Sequence, residues 1–433
     1  MRYRLFVFLI GFFTFLASCT IQKQLKESPY KYGCKGDSRS NDLKGMQAFF
    51  DSNTLIEIPK GIFNVSGDLY IKGNKTLILN GTIKGGKGNE RIFCDGEIKI
   101  KGKGTFQSVS LEVLGGIFQI NDVKFINSGR SAAILINNDN KVIKDLIIDG
   151  IEVSNGPYGI LRQGAIGEKP ILKGLVQNCF IHDCRGDGIE WNVGYRDGPF
   201  SIIDNRIENL NSDFGGPVGK SWGIGIGVAG GQCNDNYENY VKDFKVLNNT
   251  ILNVRHGIHI ETGSNFEISD NKVVINPNQS AKGTLAVVGI VTYACSDFVI
   301  SDNEVFAGSN LAIWNSFGSL PKIGYLTPPR NYIVKENKVE GVVHNWASGK
   351  GNSVEVFDNE IKGNLEHFGS GAHSIYNNRI RSSTDKPELL VNFFIKGKDK
   401  RRGYNAPVSD IVLIEKNNFL IDSEDSISKK IIK

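Results

Sequence analysis

The stretch that decides the fold is Arg255–Val273, RHGIHIETGSNFEISDNKV. In its second half, FEISDNKV, Asn271 stands three residues after Ile268 and two before Val273. In its first half, GIHIE, polar and apolar residues alternate, which turns His259 and Glu261 to the face opposite Ile258 and Ile260. The second half describes a repeating wall, and the first describes what that wall carries.

The Asn-centred frame recurs through the chain, at Asn121, Asn178, Asn205, Asn249, Asn271, Asn303, Asn337, Asn359, Asn378 and Asn417, with Ile151 in the equivalent place. Intervals run from 19 to 44 residues. A minimum near twenty with variable insertions is what a solenoid shows when one turn has a fixed length and loops grow from its corners. Asn suits such a corner because it tolerates the left-handed backbone and its amide can bond to the Asn above and below. Gly-, Asn- and Lys-Gly-punctuated strands from Leu55 to Ile120, among them LIEI, TLILNGTIKG and EIKIKGKGTF, predict the same all-β architecture.

The 433 residues are 40% hydrophobic, with 50 Gly and only 2 Met, a composition of strands and turns. Arg2 and Arg4 precede an apolar run from Leu5 to Leu16 and small residues ending at Cys19, the order of a signal peptide. The predicted organisation is a leader over 1–18, a polar tether over 19–39 and one β-helical domain over 40–433. SNDLKGMQAFF predicts a short capping helix with Ser40 or Asn41 as N-cap and Leu43, Met46, Phe49 and Phe50 on its apolar face. Net charge is +5, and removing the leader's two Arg leaves 49 basic against 46 acidic residues, too balanced to suggest nucleic acid as a partner. Cys34, Cys94, Cys179, Cys184, Cys233 and Cys295 have no zinc-ribbon spacing, and they read as stacked apolar side chains or as holding one disulfide.

The Asn frame and the opening coils LIEIPKGIFNVSGDLYIKGNKTLILNGTIKG (Leu55–Gly85) resemble the right-handed parallel β-helix of the pectate-lyase superfamily over roughly residues 40 to 420. The resemblance implies a rod of about thirteen coils, ~60 Å long, and a polysaccharide substrate. LASC (Leu16–Cys19) resembles the lipobox of bacterial lipoproteins, which implies cleavage before Cys19, lipidation there and residence in the cell envelope. Asp187-Gly188-Ile189 and His256-Gly257-Ile258 look like two motifs of the polygalacturonase family. The chain departs from that pattern where Ser221 and Trp222 replace an Asp-Asp pair, where residue 255 is Arg rather than Gly, and in having no Arg-Ile-Lys motif.

A uniform β-helix needs no loops, so the excursions at 194–200, 210–222 and 229–243 point to a site on the strands they flank. Those strands are DGIEWN, WGIGIG, HGIHIE and VGIVTY. Aligned on their shared Gly-Ile, they put Glu190, Gly225, His259 and Val291 outward, and then Asn192, Gly227, Glu261 and Tyr293. Two side-chain-free positions between acids and a His would let a sugar ring approach the backbone. Glu190 and Glu261, two coils apart, are the candidate acid and base of glycoside hydrolysis, with His259 tuning one of them and Asp187 a further catalytic candidate. Arg255, Arg196, His256, Asn192, Trp222 and Tyr293 are candidate substrate contacts, while Trp191 is phased inward as core. The expected function is hydrolysis of a polysaccharide, with elimination next; a lyase would use His259, Tyr293, Lys220 or Arg255 as base, with Ca²⁺ as the one conceivable cofactor. From another class comes a non-catalytic glycan-binding or structural shaft like tailspikes and adhesins, or an epimerase or secretion factor. Parallel β-helices sometimes form trimers, and no coiled-coil stretch argues for one here.

Overall fold

The computed structural model describes residues 27–433, except 130–131, 139–140, 164–168, 193, 211–222, 232–238, 277–286, 317, 320–325, 328, 348–351, 370–371, 382–388, 394–411, 417, 422–429 and 433. The leader, Cys19, Lys220, Trp222 and Cys233 therefore lie outside the described residues. The architecture is the expected right-handed, single-stranded parallel β-helix. Each coil supplies three short strands, and through most of the rod each strand pairs in parallel with the third strand after it, as Gly174–Gln177 does with Phe200–Ile203 and Phe180–His182 with Arg206–Glu208.

What holds successive coils in phase is a column of buried amides at one corner. The Asn249 backbone N–H and Nδ2 both donate to Asn271 Oδ1 (2.9 Å each), and Asn271 repeats this onto Asn303. The ladder runs Asn205, Asn249, Asn271, Asn303, Asn337, Asn359, Asn378 and Asn418. Two expectations are corrected here. The left-handed residue is the one before each ladder Asn, as at Asp204, Asn248, Asp270 and Asp302 (φ 52–58°), because the buried Asn must keep an ordinary backbone to aim its amide along the rod. For the same reason Asn178 is the left-handed residue of its corner, Cys179 occupies the ladder place beneath Asn205, and the last rung is Asn418 rather than Asn417. Asn121 likewise sits two residues ahead of Val123, which follows the left-handed Asp122.

Inside, Trp191, Phe200, Phe244, Phe266, Phe298 and Tyr332 form a continuous stack, with ring centroids 4.4–5.1 Å apart and planes within 12°. Trp191 is buried, as its phase predicts, and its indole N–H donates to Asp197, which also takes the buried Arg162. Near the N-terminal end a corner is turned by stacked glycines instead of Asn. At Gly116 (φ 89°) a Cβ would lie 2.1 Å from the Gly96 carbonyl oxygen, so no other residue fits. The capping helix spans Leu43–Ser52 and buries Met46, Phe49 and Phe50 over the open end of the coils. Its N-cap is Asp42 rather than Ser40 or Asn41, and the Asp42 carboxylate is turned back to accept Lys35 N (2.6 Å) and Gly36 N (3.1 Å). That contact belongs to a folded entry segment where a tether was expected. Pro29–Tyr32 forms a 3-10 turn with Tyr32 packed on Phe49, and Asp37–Asn41 pairs with Ile62–Val65. Among the described residues Cys34, Cys94, Cys179, Cys184 and Cys295 are free and buried, and burial pushes the thiols of Cys34, Cys179 and Cys184 up to about 12. They serve as small apolar side chains. The basic KGKDKRRG run lies outside the described residues.

Within the coils a second polar column ends differently. Thr292 donates to Asn315 (2.7 Å) and Asn315 to Asn345 (2.8 Å), while His367 follows with neither ring nitrogen hydrogen-bonded among the described residues. Burial first, then the neighbouring His373 and His344, hold the His367 imidazole well below its ordinary range. An unfolded His takes up a proton near pH 6.5, while the folded one resists it. Stability should be flat above that value and fall as pH drops below it, until the depressed folded pKa is reached. Replacing His367 with Asn, which continues the amide column, should flatten this dependence between about pH 6.5 and 5. Melting temperature against pH checks this, and an unchanged slope in the variant would refute it.

Candidate functional site

The outward residues of one sheet form columns along the rod. The first reads Glu112, Leu135, Leu161, Glu190, Gly227, His259, Val291, Trp314, His344 and Glu366, one residue per coil. Beside it run Gln163, Asn192, Ala229, Glu261 and Tyr293. Where the columns cross the coil of Gly227 they open a cleft of about 170 Å³ lined by Glu190, Asn192, Ile224, Gly227, Val228, Ala229, His259 and Glu261. Gly227 is its floor. A Cβ there would meet only ordinary contacts, 3.5 Å from Ile224 and 3.7 Å from Glu190, so a small side chain would fit there without a clash.

The alignment of the strands differs from expectation at this coil. Ile226, not Ile224, pairs with Ile189 and Ile258, a slip of two residues that keeps every inward residue inward. WGIGIG carries two Gly-Ile units, and the second is in register because the Asp187 carboxylate accepts the Ile224 N–H at 2.7 Å and holds the strand one step along. Gly225 accordingly faces the core, where a Cβ would be 2.5 Å from Ile251, and it takes no part in the cleft.

Three ionisable groups in line define the electrostatics. His256 Nδ1 lies 3.0 Å from His259 Nδ1, and His259 Nε2 lies 2.8 Å from Glu261 Oε1. Burial alone would raise Glu261, but the hydrogen bond and charge of His259 outweigh it and hold this half-exposed carboxyl below its usual range. Glu190 goes the other way. Burial pushes it up to about 7; His259 opposes this and the charge of Glu261 adds to it. On the column before Glu190 stand Leu161 and Leu135, which pack with Tyr158, a patch that sequence reasoning missed because ILRQ does not alternate. Asn192 donates to Glu190 Oε1 at 3.1 Å. Near neutral pH the cleft therefore holds one acid able to donate a proton and one ionised carboxylate.

The remaining candidates fall behind or beside the cleft. Asp187 is buried, and burial followed by the charge of Glu190 raises it well above the usual range, against the backbone N–H groups of Ile224 and Gly223 and the charge of Arg255. It supports the strand and does not line the cleft. Arg255 is buried too, so it does not present a guanidinium to the surface of the rod. His256 is buried behind His259, which it orients. Tyr293 is half-buried with its ring 5.3 Å from that of His259, at the cleft's upper edge. Arg196 is exposed, lies over the Tyr195 ring and is not in the cleft lining. Among the described residues no group of three or more His, Cys, Asp or Glu is arranged to hold a metal ion.

Residues 14–355 match the family described as Colanic acid biosynthesis WcaM. The Colanic acid biosynthesis protein WcaM of Shigella flexneri is 33% identical over 378 residues, covering 83% of this chain and 79% of that protein. The chain belongs to the WcaM family. Its Salmonella typhimurium counterpart is 32% identical over 297 residues, covering 66% of this chain and 61% of that one. Among solved structures the chain is similar in fold to the tailspike protein of E. coli bacteriophage HK620, in one case at TM-score 0.52 with 12% identity, covering 90% of this chain and 78% of that one, in a complex with a hexasaccharide. A double mutant of the same tailspike gives a TM-score of 0.54 with the same identity and coverage. At that identity the likeness is one of fold.

In this WcaM-family chain the floor position offers a clean test of the cleft. A valine at residue 227 suits a strand and would fill the space between Glu190 and His259. Gly227→Val is expected to keep the wild-type melting temperature and abolish binding of any glycan the protein takes. Full binding by the variant, measured by titration calorimetry, would mean the ligand does not cross this coil.

Proposed function

We propose that this protein serves polysaccharide biosynthesis by binding a polysaccharide chain across the cleft at Gly227, outside the cell membrane. The observation that carries the reading is that cleft with a side-chain-free position in its floor, rimmed by Glu190, Asn192, His259 and Glu261. Such a floor admits a pyranose ring close to the main chain, and the rim supplies donors and acceptors for its hydroxyls. The family's description names colanic acid, which makes it the first polymer to test. Fold relatives that hold oligosaccharides support the reading by analogy. Anchoring through a lipid on Cys19 is part of the proposal. Cys19→Ala should move the protein from the membrane to the soluble fraction of the producing cell, and an unchanged distribution would remove the anchor.

A second reading, glycosidic-bond hydrolysis, is favoured by the divergence of the two carboxyls. Glu190, with a pKa of about 7, would protonate the leaving oxygen, and the ionised Glu261 would activate water or attack the anomeric carbon. His259 would hold Glu261 in place, and His256 would hold His259.

Titration of colanic acid and other neutral and uronic polysaccharides onto wild-type, Glu190→Gln and Glu261→Gln proteins separates the readings. Binding retained in all three with no new reducing ends establishes a binding protein. New reducing ends that vanish in both variants establish a hydrolase, and its rate should decline as pH rises through about 7 because Glu190 must be protonated to donate. Absorbance of an unsaturated uronate would mark elimination instead. The absence of binding to every polymer would dismiss the proposal.

A further inference from the structure

Two coils beyond the coil of His259 and Glu261, on the same columns, the sheet face changes character. Trp314 follows Val291, His344 follows Trp314 and Glu366 follows His344, while Trp346 and Phe368 pair one column over. All five side chains are only partly buried. Trp346 and Phe368 stack at 5.1 Å and 25°, and His344 lies on Phe368 at 4.6 Å and 24°. Trp314 stands across the row, edge-on to Tyr293 on one side (5.3 Å, 76°) and to His344 on the other (6.4 Å, 85°). His344 Nδ1 is 2.8 Å from Glu366 Oε2, so a second His–Glu pair sits on this strip as His259–Glu261 sits in the cleft.

We propose that Trp314, Trp346, Phe368 and the His344–Glu366 pair form a second, non-catalytic subsite that holds further sugar residues of the same polysaccharide chain. The inference rests on the reading of the cleft as a glycan site. Indole and phenyl faces stack on the apolar C–H faces of pyranose rings, and an aligned carboxylate and imidazole accept and donate to the hydroxyls at their edges. The oriented His344–Glu366 pair beside the rings favours a ligand that offers apolar faces and hydroxyl edges together, as a sugar does, over a wholly apolar one. From Glu261 to Phe368 the columns rise four coils, ~19 Å at the ~4.8 Å spacing of parallel strands, so one chain laid along the rod contacts both places. The polymer would thus run parallel to the rod axis, and the cleft would take an internal segment or one end while the strip holds the remainder.

The test uses the full chain and colanic acid as probe, as the intact polymer and as short oligosaccharides from its partial hydrolysis. Trp314→Ala/Trp346→Ala is expected to weaken binding of the long polymer about tenfold or more, the loss of roughly one stacking contact or two, and to change binding of the short oligosaccharide less than twofold. Trp314→Phe/Trp346→Phe should restore most of the long-chain affinity, which separates stacking from damage to the fold. The inference is overturned if the Ala pair binds polymer like wild type while Gly227→Val does not, since the cleft alone then carries the chain. It is also overturned if the Ala and Phe pairs lose long and short ligands equally. If the wild-type protein binds no polysaccharide, the cleft reading fails first and the strip with it.

Discussion

The structure depends on one constraint, that successive coils stay in phase. A parallel strand can slip by two residues and keep its inward face inward, so hydrophobic burial does not by itself lock a coil onto the next. The buried amide ladder does. At Asn303, Oδ1 accepts from the Asn271 backbone and side chain, while the two N–H of Nδ2 are shared among Ile268 O, Ser301 O and Asn337 Oδ1. A slip would leave several of these groups buried and unpaired, at about 1–3 kcal/mol each.

Once phase is fixed, outward residues become columns, and chemistry is a matter of which column they join. Glu190 and Glu261 are 71 positions apart in sequence yet share one cleft, because Gly227 stands between Glu190 on one coil and His259 on the next. Their opposite pKa shifts follow from what lies next to each: Leu161 precedes Glu190 on its column and withdraws water, whereas Glu261 has a His two residues back and half its side chain exposed. A single strand repeat thus supplies two differently tuned carboxyls.

Much of this was legible in the sequence, and the failures have physical causes. The ladder frame was visible because seven of its eight rungs carry Asn in the same spacing. The corner's left-handed residue was misassigned because Asn, Asp and Glu all fill it, so the ladder Asn drew attention away from its predecessor. Asn178 fits the rung frame but is the left-handed residue before Cys179, whose backbone N–H alone continues the ladder, and the last rung falls on Asn418 although the frame fits Asn417. Alternation placed Glu190, Asn192, His259, Glu261 and Tyr293 on one face. It misplaced Gly225 because a repeated dipeptide is degenerate under a shift of two, and the Asp187–Ile224 hydrogen bond favours the second Gly-Ile unit. Trp314, His344 and Glu366 escape a search for alternation because the residues that follow them and face inward, Asn315, Asn345 and His367, are polar.

Rigidity explains why such a face suits a polymer. A loop-built site must be ordered at the moment of binding, and each immobilised side chain subtracts from affinity. Here the phases of Glu190, His259 and Glu261 are set by strand pairing on both sides, and His259 is held from behind by His256 and in front by Glu261. A long chain that meets many weak, already ordered contacts one coil apart gains from each of them without paying for order again. The same regularity makes the face extensible, since adding a coil adds one more position to every column and leaves the existing ones where they were.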